Sequence, residues 1–247
     1  MATEMKPPMC IIKQQAGIGD VVCCQKIAAC LLERGHDVMW PLKSSIYEAI
    51  KAHVSSDVKF VSIDDQFRGK AEYLSSSLQI REVDGIIHVP LETADQIYPH
   101  SPIIQSKYDF VDLPLEGWAD HLILNRNTVR EDEMYNDILG IKDGEKYVLI
   151  NPIFATPPET QRVNIEVSSD IRQIEFQMFP NDSIFDWCKV FENATEIHTV
   201  QTAIQSLCEV LDLKGEILKV YQRPGWGDDF SYLTGVYPKH AWEYVVD

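Results

Sequence analysis

Basic residues are scarce in this sequence. Its 247 residues include 22 Lys and Arg against 38 Asp and Glu, so the formal net charge is −16. A protein that binds nucleic acid or an anionic membrane needs a basic face to neutralise phosphate groups, and no run of lysines and arginines supplies one. The composition therefore excludes a general polyanion binder, and we expect no nucleic-acid partner.

Long apolar runs are also missing. No segment approaches the roughly 20 apolar residues that a membrane-spanning helix requires. The opening residues, MATEMKPP, lack the basic and apolar regions of a secretory signal. We therefore expect a protein that has no membrane span and that acts in the cytoplasm.

The cysteines form neither a CxxC motif nor a Cys/His cluster with the spacing of zinc ligands. They are Cys10, Cys23, Cys24, Cys30, Cys188 and Cys208. This scattered pattern predicts buried free thiols and no metal site. With 45% hydrophobic and 24% charged residues, the chain has an ordinary globular composition.

Strands and helices are predicted to alternate in the first half of the chain. A short apolar strand at 9–15 ends in a glycine-rich turn, and a helix follows that ends at Gly35. The next strand, at 37–42, comes after a very short connection, which is the spacing of a β-α-β unit and hence of a parallel sheet. The remaining predicted elements are a helix at 45–53, strands at 58–63 and 84–90, and a long helical stretch at 120–140.

The segment 140–144, rich in glycine and aspartate, is the best candidate for a linker. After it the alternation begins again with a strand at 146–152. Further strands are predicted at 162–167, 172–178, 196–199 and 216–221, with helices at 183–192 and 201–213. The pattern predicts an α/β protein with two Rossmann-like domains, 1–144 and 145–247, that face each other across a cleft.

Two glycines, Gly17 and Gly19, follow the first strand at the place where an open parallel sheet binds its ligand. Glycine allows the turn and lets the backbone approach a bound group closely. A dinucleotide-binding loop needs a third glycine at position 22, where this chain has Val22. An oxidoreductase or epimerase that binds NAD(P) is therefore an alternative function that Val22 argues against.

Asp20 stands at the start of the first helix, and two roles fit it equally. A carboxylate at a helix N-terminus is stabilised by the helix dipole and by capping. A carboxylate at the rim of a ligand site can also act as a general base and take the proton of an attacking hydroxyl.

The segment 17–20, with its Gly-Asp pair, resembles the first loop of heptosyltransferase-like glycosyltransferases of the GT-B type. The resemblance implies that Asp20 is the catalytic base of a metal-independent, inverting sugar transfer. It also implies that the first domain binds the acceptor and that the second binds a nucleoside-diphosphate sugar.

The segment 196–207 resembles the part of the same family that binds the donor diphosphate. Thr199 and Thr202 supply hydroxyls beside the backbone N–H groups of a helix N-terminus, which together can hold an anion without a metal. The family has Asp-Thr-Gly where this chain has Gln201, Thr202 and Ala203. The donor sugar is therefore expected to differ from a heptose.

Three further residues are candidates for donor binding. His198 precedes the turn and either donates to a phosphate or sugar hydroxyl or is a structural histidine at a strand end. Arg223 follows the last clear strand and either pairs with the pyrophosphate in bidentate fashion or is a surface arginine. Arg162 is a second candidate cation, after a loop rich in Thr and Pro.

The leading hypothesis is a glycosyltransferase of the hexosyl or pentosyl class. It has no bound cofactor, uses a nucleotide sugar as co-substrate, and has a glycan or glycoprotein as acceptor. Compact GT-B-like enzymes occur in large DNA viruses, which would place the protein in the host cytoplasm; a bacterial polysaccharide pathway is the other origin considered. A non-catalytic protein that binds a nucleotide sugar fits the same residues.

Overall fold

The chain folds as two compact units, Met1–Asn125 and Arg126–Asp247, each built around its own sheet. The computed structural model describes residues 7–15, 17–66, 78–156, 159–167, 170–223, 230, 233 and 235–246. The boundary between the units lies 19 residues before the predicted one after residue 144, because 144 − 125 = 19.

Seven short strands are described in the first unit. They are β1 (Met9–Ile12), β2 (Asp37–Leu42), β3 (Val54–Ser55), β4 (Lys59–Ser62), β5 (Arg81–Val83), β6 (Ile86–Val89) and β7 (Ile123–Leu124). Five of them form a sheet in the order β4-β2-β1-β6-β5, in which all pairs are parallel except the β5-β6 hairpin. The order reverses between β1 and β6, and a sheet of this kind binds its ligand at the carboxyl ends of the two strands that flank the reversal.

The helices described in the first unit include the two that were predicted before residue 54 and three short ones that were not predicted. They are α1 (Ile18–Cys23), α2 (Gln25–Glu33), α3 (Ser44–His53), α4 (Ile63–Gln66), α5 (Ala94–Ile97) and α6 (Ile103–Phe110), with 3-10 turns at Leu91–Thr93 and Trp118–His121. The single helix predicted after the glycine turn is broken at Cys24 into α1 and α2. Helix α6 was not predicted, although Tyr108 within it is fully buried.

The second unit contains the remaining elements. They are α7 (Thr128–Asp132), which continues as π-helical turns at Glu133–Ile138, β8 (Tyr147–Asn151), β9 (Ile153–Thr156), β10 (Glu159–Arg162), β11 (Arg172–Glu175), a 3-10 turn at Ile184–Trp187, α8 (Cys188–Asn193), β12 (Glu196–Val200), α9 (Ala203–Cys208), β13 (Ile217–Tyr221) and β14 (Glu243–Val245). The sheet has the order β11-β8-β12-β13-β14 and is parallel throughout. Its strand order reverses between β8 and β12.

The inner strand β8 is buried along its whole length, as expected for a parallel sheet whose two faces are covered. Two predictions nearby were wrong. No strand occupies 163–167, because the chain instead forms an antiparallel hairpin of β9 and β10 that ends at Arg162. The helix predicted at 201–213 is the much shorter α9.

Charged contacts explain why the segment before residue 144 belongs to the second unit. The guanidinium of Arg126 binds both Glu131 and, at 2.8 Å, Glu192 of α8. Lys189 of α8 binds Asp132 at 2.6 Å. The helical segment 128–138 is thereby attached to α8, so the predicted linker at 140–144 lies inside the second unit.

A test of these contacts compares two arginines that each bind carboxylates. Arg126→Met leaves Glu131, which is 2% exposed, as a buried carboxylate without its guanidinium. Because an uncompensated buried charge is costly, we expect a loss of about 3 kcal/mol in the free energy of unfolding. Arg162→Met, which breaks an exposed pair with Glu175, should leave stability nearly unchanged. Urea unfolding of both variants measures the difference; equal losses would contradict the burial argument.

Candidate functional site

The turn after β1 brings Gly17 and Asp20 together. Gly17 has φ +86° and is the N-cap position of α1, whereas Asp20 lies in the first helical turn. A side chain at Gly17 would be strained at this φ, and its Cβ would collide with Oδ2 of Asp20. Gly19, between them, is half-buried in α1. The glycine at 17 therefore leaves open the space that the Asp20 carboxylate occupies.

Asp20 is paired with a buried lysine. Its Oδ1 lies 3.6 Å from Nζ of Lys107, whose side chain is 7% exposed compared with 30% for Asp20. The N-cap position of α1 makes no side-chain capping bond. Asp20 thus benefits from the dipole at the first turn of α1, but its charged partner comes from a distant part of the chain.

Lys107 is itself held in place by the carboxyl ends of β1 and β6. Its Nζ donates to Oε1 of Gln14 at 2.7 Å and to the carbonyl oxygen of Leu91 at 3.1 Å. Helix α6, which carries Lys107, is attached to α1 by Tyr108, whose hydroxyl donates to the carbonyl of Cys23 at 2.6 Å. The Asp20–Lys107 pair therefore lies at the point where the strand order of the first sheet reverses.

This arrangement disfavours a dinucleotide in the first unit. Val22, which stands where the fingerprint has its third glycine, is buried in the core. The Asp20 carboxylate lies over Gly17, where a pyrophosphate would need its closest approach to the backbone. A carboxylate at that position repels a phosphate instead of binding it.

In the second unit, polar side chains meet where the strand order reverses. Asn151 ends β8 opposite Thr199 of β12. Its Nδ2 donates to Oγ1 of Thr199 at 2.9 Å and to Oγ1 of Thr202 at 3.2 Å. Thr202 caps α9, because its Oγ1 accepts from the backbone N–H of Ile204 at 3.3 Å. We call Asn151, Thr199 and Thr202 the hydroxyl cluster.

Arg223 joins this end of the sheet from β13. Its Nε donates to the carbonyl oxygen of Gln201 at 2.7 Å, and its Nη2 donates to the same oxygen. The guanidinium lies 5.0 Å from the ring centroid of Phe154, which is buried. The structure therefore brings Thr199, Gln201, Thr202 and Arg223, which are candidates from two separate segments of the sequence, to one end of the sheet.

The Gln201 side chain adds a hydrogen-bond acceptor at the same place. Its Oε1 is buried and has no hydrogen-bond partner among the residues that the structure describes. Burying such an oxygen without a partner costs free energy. A bound ligand that donates a hydrogen bond to Gln201 would remove this cost.

His198 lies away from the hydroxyl cluster. Successive residues of a strand point to opposite faces, so His198 and Thr199 cannot share a side of the sheet. Nδ1 of His198 lies 2.9 Å from the hydroxyl of Tyr221, and Nε2 lies 3.2 Å from Oε2 of Glu196. Burial lowers the pKa of His198, against the opposing effect of Glu196. Both ring nitrogens are engaged within the protein, which favours the structural alternative for this histidine.

Arg162 is held by a carboxylate. Its two terminal nitrogens donate to Glu175 at 2.7 and 2.6 Å in an exposed bidentate pair, which raises the pKa of Arg162. Of the two arginines proposed from the sequence, Arg223 is the one that contacts the Gln201–Thr202 turn.

Sequence reasoning missed Asn151 and Lys107. Asn151 carried a usable signal, because it is the polar residue at the end of an apolar strand that begins a new β-α-β series. Lys107 carried none, since 87 residues separate it from Asp20 (107 − 20 = 87) and only the docking of α6 brings them together.

The described part of the chain contains neither a membrane-spanning helix nor a cluster of metal ligands. No helix there has the length and apolar content to cross a membrane. No group of three or more His, Cys, Asp or Glu side chains there could hold a metal ion. All six cysteines are free thiols, and all except Cys30 are buried.

The fold matches solved glycosyltransferase structures. The chain is similar to the glycosyl transferase family 9 protein from Veillonella parvula DSM 2008, with a TM-score of 0.56 at 8% identity over 100% of this chain and 90% of that one. The structure of the E. coli heptosyltransferase WaaC with ADP has a TM-score of 0.46 at 12% identity over 89% of this chain and 89% of that one. The WaaC structure with ADP-2-deoxy-2-fluoro heptose has a TM-score of 0.47 at 13% identity over 90% of this chain and 91% of that one. No protein-family model and no curated protein matches the sequence. The first likeness confirms the predicted GT-B type of α/β fold.

The environment of His198 predicts how stability depends on pH. An unfolded histidine takes up a proton near pH 6.5, whereas the folded His198 has a lowered pKa. The unfolded state then binds more protons, so stability is present above pH 6.5 and is lost as the pH falls below it. His88 and His240 act in the same direction.

We expect His198→Gln to reduce the slope of unfolding free energy against pH between 7 and 5. The reduction should be a fraction of the roughly 1.4 kcal/mol per pH unit that one proton contributes. His100→Gln, at an exposed position, is the control. Urea unfolding at several pH values measures both slopes, and an unchanged slope for His198→Gln would contradict the interpretation.

Proposed function

We propose that this protein is a glycosyltransferase that moves a sugar from a nucleoside-diphosphate sugar to an acceptor hydroxyl. One observation carries the proposal. In a chain with the GT-B fold, each unit has a polar group of residues at the reversal of its strand order: the Asp20–Lys107 pair in the first and the hydroxyl cluster with Arg223 in the second.

The second unit binds the donor in this proposal. The hydroxyl cluster offers polar atoms to the diphosphate, and Gln201 offers an acceptor oxygen to a sugar hydroxyl. Arg223 offsets the negative charge that develops on the leaving diphosphate. Arg223 contacts the Gln201 carbonyl beside the hydroxyl cluster, whereas Arg162 is paired with Glu175. The amide of Gln201, in place of an acid, supports a donor sugar other than a heptose.

The first unit binds the acceptor, a glycan or glycoprotein hydroxyl. Asp20 takes the proton of that hydroxyl as its oxygen attacks the anomeric carbon of the donor. Direct attack inverts the configuration at that carbon. The nucleoside diphosphate leaves without a metal ion, because arginine, hydroxyl and amide groups stabilise its negative charge. The proposal requires that the acceptor at Asp20 reach the anomeric carbon of a donor held by the second unit.

Donor binding is tested with a panel of nucleoside diphosphates and nucleotide sugars in a thermal-shift assay. A ligand that binds only the folded state raises the melting temperature by mass action. Arg223→Gln should weaken binding of the best nucleotide by about tenfold or more, because a charge-assisted contact contributes about 1.5–3 kcal/mol.

Arg172→Gln is the matched control, since Arg172 also donates to backbone carbonyls, those of Leu139 and Gly140. It lies at the amino end of β11, the opposite edge of the sheet from Arg223. Equal weakening by the two variants would argue against a donor site at Arg223.

The base is tested by Asp20→Asn, which keeps the shape of the side chain and removes its basicity. We expect transfer to fall by about 10²–10⁴-fold while nucleotide binding persists, as is typical when a general base is lost. Asp37→Asn is the control, because Asp37 also pairs with a lysine, Lys59 at 3.9 Å, at the amino end of β2. Product analysis of sugar transfer by chromatography measures both variants. Full transfer by Asp20→Asn would refute the base, and binding without turnover by the wild type would indicate a non-catalytic binding protein.

A further inference from the structure

The ammonium of Lys107 is a buried charge with three oxygen atoms nearby. It donates hydrogen bonds to two uncharged oxygens, Oε1 of Gln14 and the carbonyl of Leu91. Oδ1 of Asp20 lies 3.6 Å away and is its ion-pair partner. Because an isolated buried ammonium is costly, Asp20 is the group that makes a lysine tolerable at this position.

The residues around Lys107 are fixed to the sheet. The carbonyl of Gln14 accepts from the indole nitrogen of Trp40 at 2.9 Å, and the carbonyl of Gln15 accepts from the backbone N–H of Lys43 at 2.9 Å. On the other side, Tyr108 attaches α6 to α1. Lys107 therefore has a defined position relative to both the end of β1 and the first turn of α1.

We propose that Lys107 is the positioning residue for the Asp20 base: by pairing with Oδ1 it fixes the orientation of the carboxylate that receives the proton of the acceptor hydroxyl. This inference rests on the proposed glycosyltransferase function. It adds a residue that touches neither donor nor acceptor but acts through Asp20.

The acceptor O–H bond breaks and its proton passes to the carboxylate of Asp20. The acceptor oxygen forms a bond to the anomeric carbon, and the bond from that carbon to the diphosphate oxygen breaks, so the electron pair leaves with the nucleoside diphosphate. Lys107 takes no part in the proton transfer, and its positive charge stabilises the ionised form of Asp20 before the reaction.

The titratable groups that interact with Asp20 include Lys107 from α6 and the thiol of Cys24 at the end of α1. Burial raises the pKa of Cys24 to about 12, so the thiol adds no charge at neutral pH. Lys107 is the cation that forms an ion pair with Asp20.

The kinetic test uses Lys107→Met, which keeps most of the length of the side chain and removes its charge. We expect kcat to fall about 10- to 100-fold, because a misplaced catalytic group loses its near-attack geometry. The KM for the donor should stay within about twofold, since the donor binds in the other unit. Lys26→Met is the matched control. Lys26 also donates to two distant carbonyls, those of Pro114 and Glu116, but it forms no ion pair with a carboxylate among the described residues. It should leave kcat unchanged.

A double-mutant cycle separates positioning from a merely structural role. If Lys107 acts through Asp20, Lys107→Met causes no further loss of kcat in a chain that already carries Asp20→Asn. Lys107→Arg, which keeps the charge, should recover part of the activity and remains informative if Lys107→Met does not fold. Losses that multiply in the double variant would overturn the proposal.

A second measurement does not depend on activity. The carboxyl carbon of Asp20, labelled with ¹³C and assigned by its loss in Asp20→Asn, is titrated by NMR in the wild type, Lys107→Met and Lys26→Met. Removing the neighbouring cation should move the titration midpoint to higher pH in Lys107→Met alone. An unchanged midpoint would overturn the positioning role whatever the kinetics show. A shifted midpoint in a protein that transfers no sugar would uphold the Asp20–Lys107 coupling and refute the proposed function.

Discussion

Parallel strands can be joined only by crossovers that run over a face of the sheet, and this constraint decides where each unit can bind a ligand. Where the strand order reverses, neighbouring crossovers leave in opposite directions and a crevice forms at the carboxyl ends of two strands. In the first unit those strands are β1 and β6, and in the second they are β8 and β12. The Asp20–Lys107 pair and the hydroxyl cluster lie at these two places.

Charge is used sparingly at both sites, which matters in a chain of net charge −16. An anionic donor is repelled by the overall field, so the proposed donor site depends on local hydroxyl and amide groups and on one guanidinium held in place by Gln201 and Phe154. At the other site a buried lysine neutralises Asp20. In the proposed function, the donor site must attract a dianionic diphosphate, whereas the Asp20–Lys107 site must keep the Asp20 carboxylate ionised and oriented.

Much of the fold was predictable because local pattern and tertiary packing agree. The bounds of β2 match the predicted strand at 37–42, since five of its six residues are buried and the next segment begins a helix at Ser44. The domain boundary was not predictable in the same way. Gly140 and Gly144 look like a linker, yet Arg126, reaching Glu192 across the fold, places the preceding helix in the second unit. No local pattern records a contact between residues that are 66 positions apart.

The sequence by itself identified Gly17, Asp20, Thr199 and Thr202 as candidate site residues, because backbone turns and helix starts require particular residues at fixed spacing. Tertiary structure decided which of the candidates lie close together. It engaged His198 with Tyr221 and Glu196 and paired Arg162 with Glu175. It also brought Asn151 and Lys107 into the sites. The physical reason is that a side chain's partners depend on which strands and helices pack side by side, and packing is a property of the whole fold.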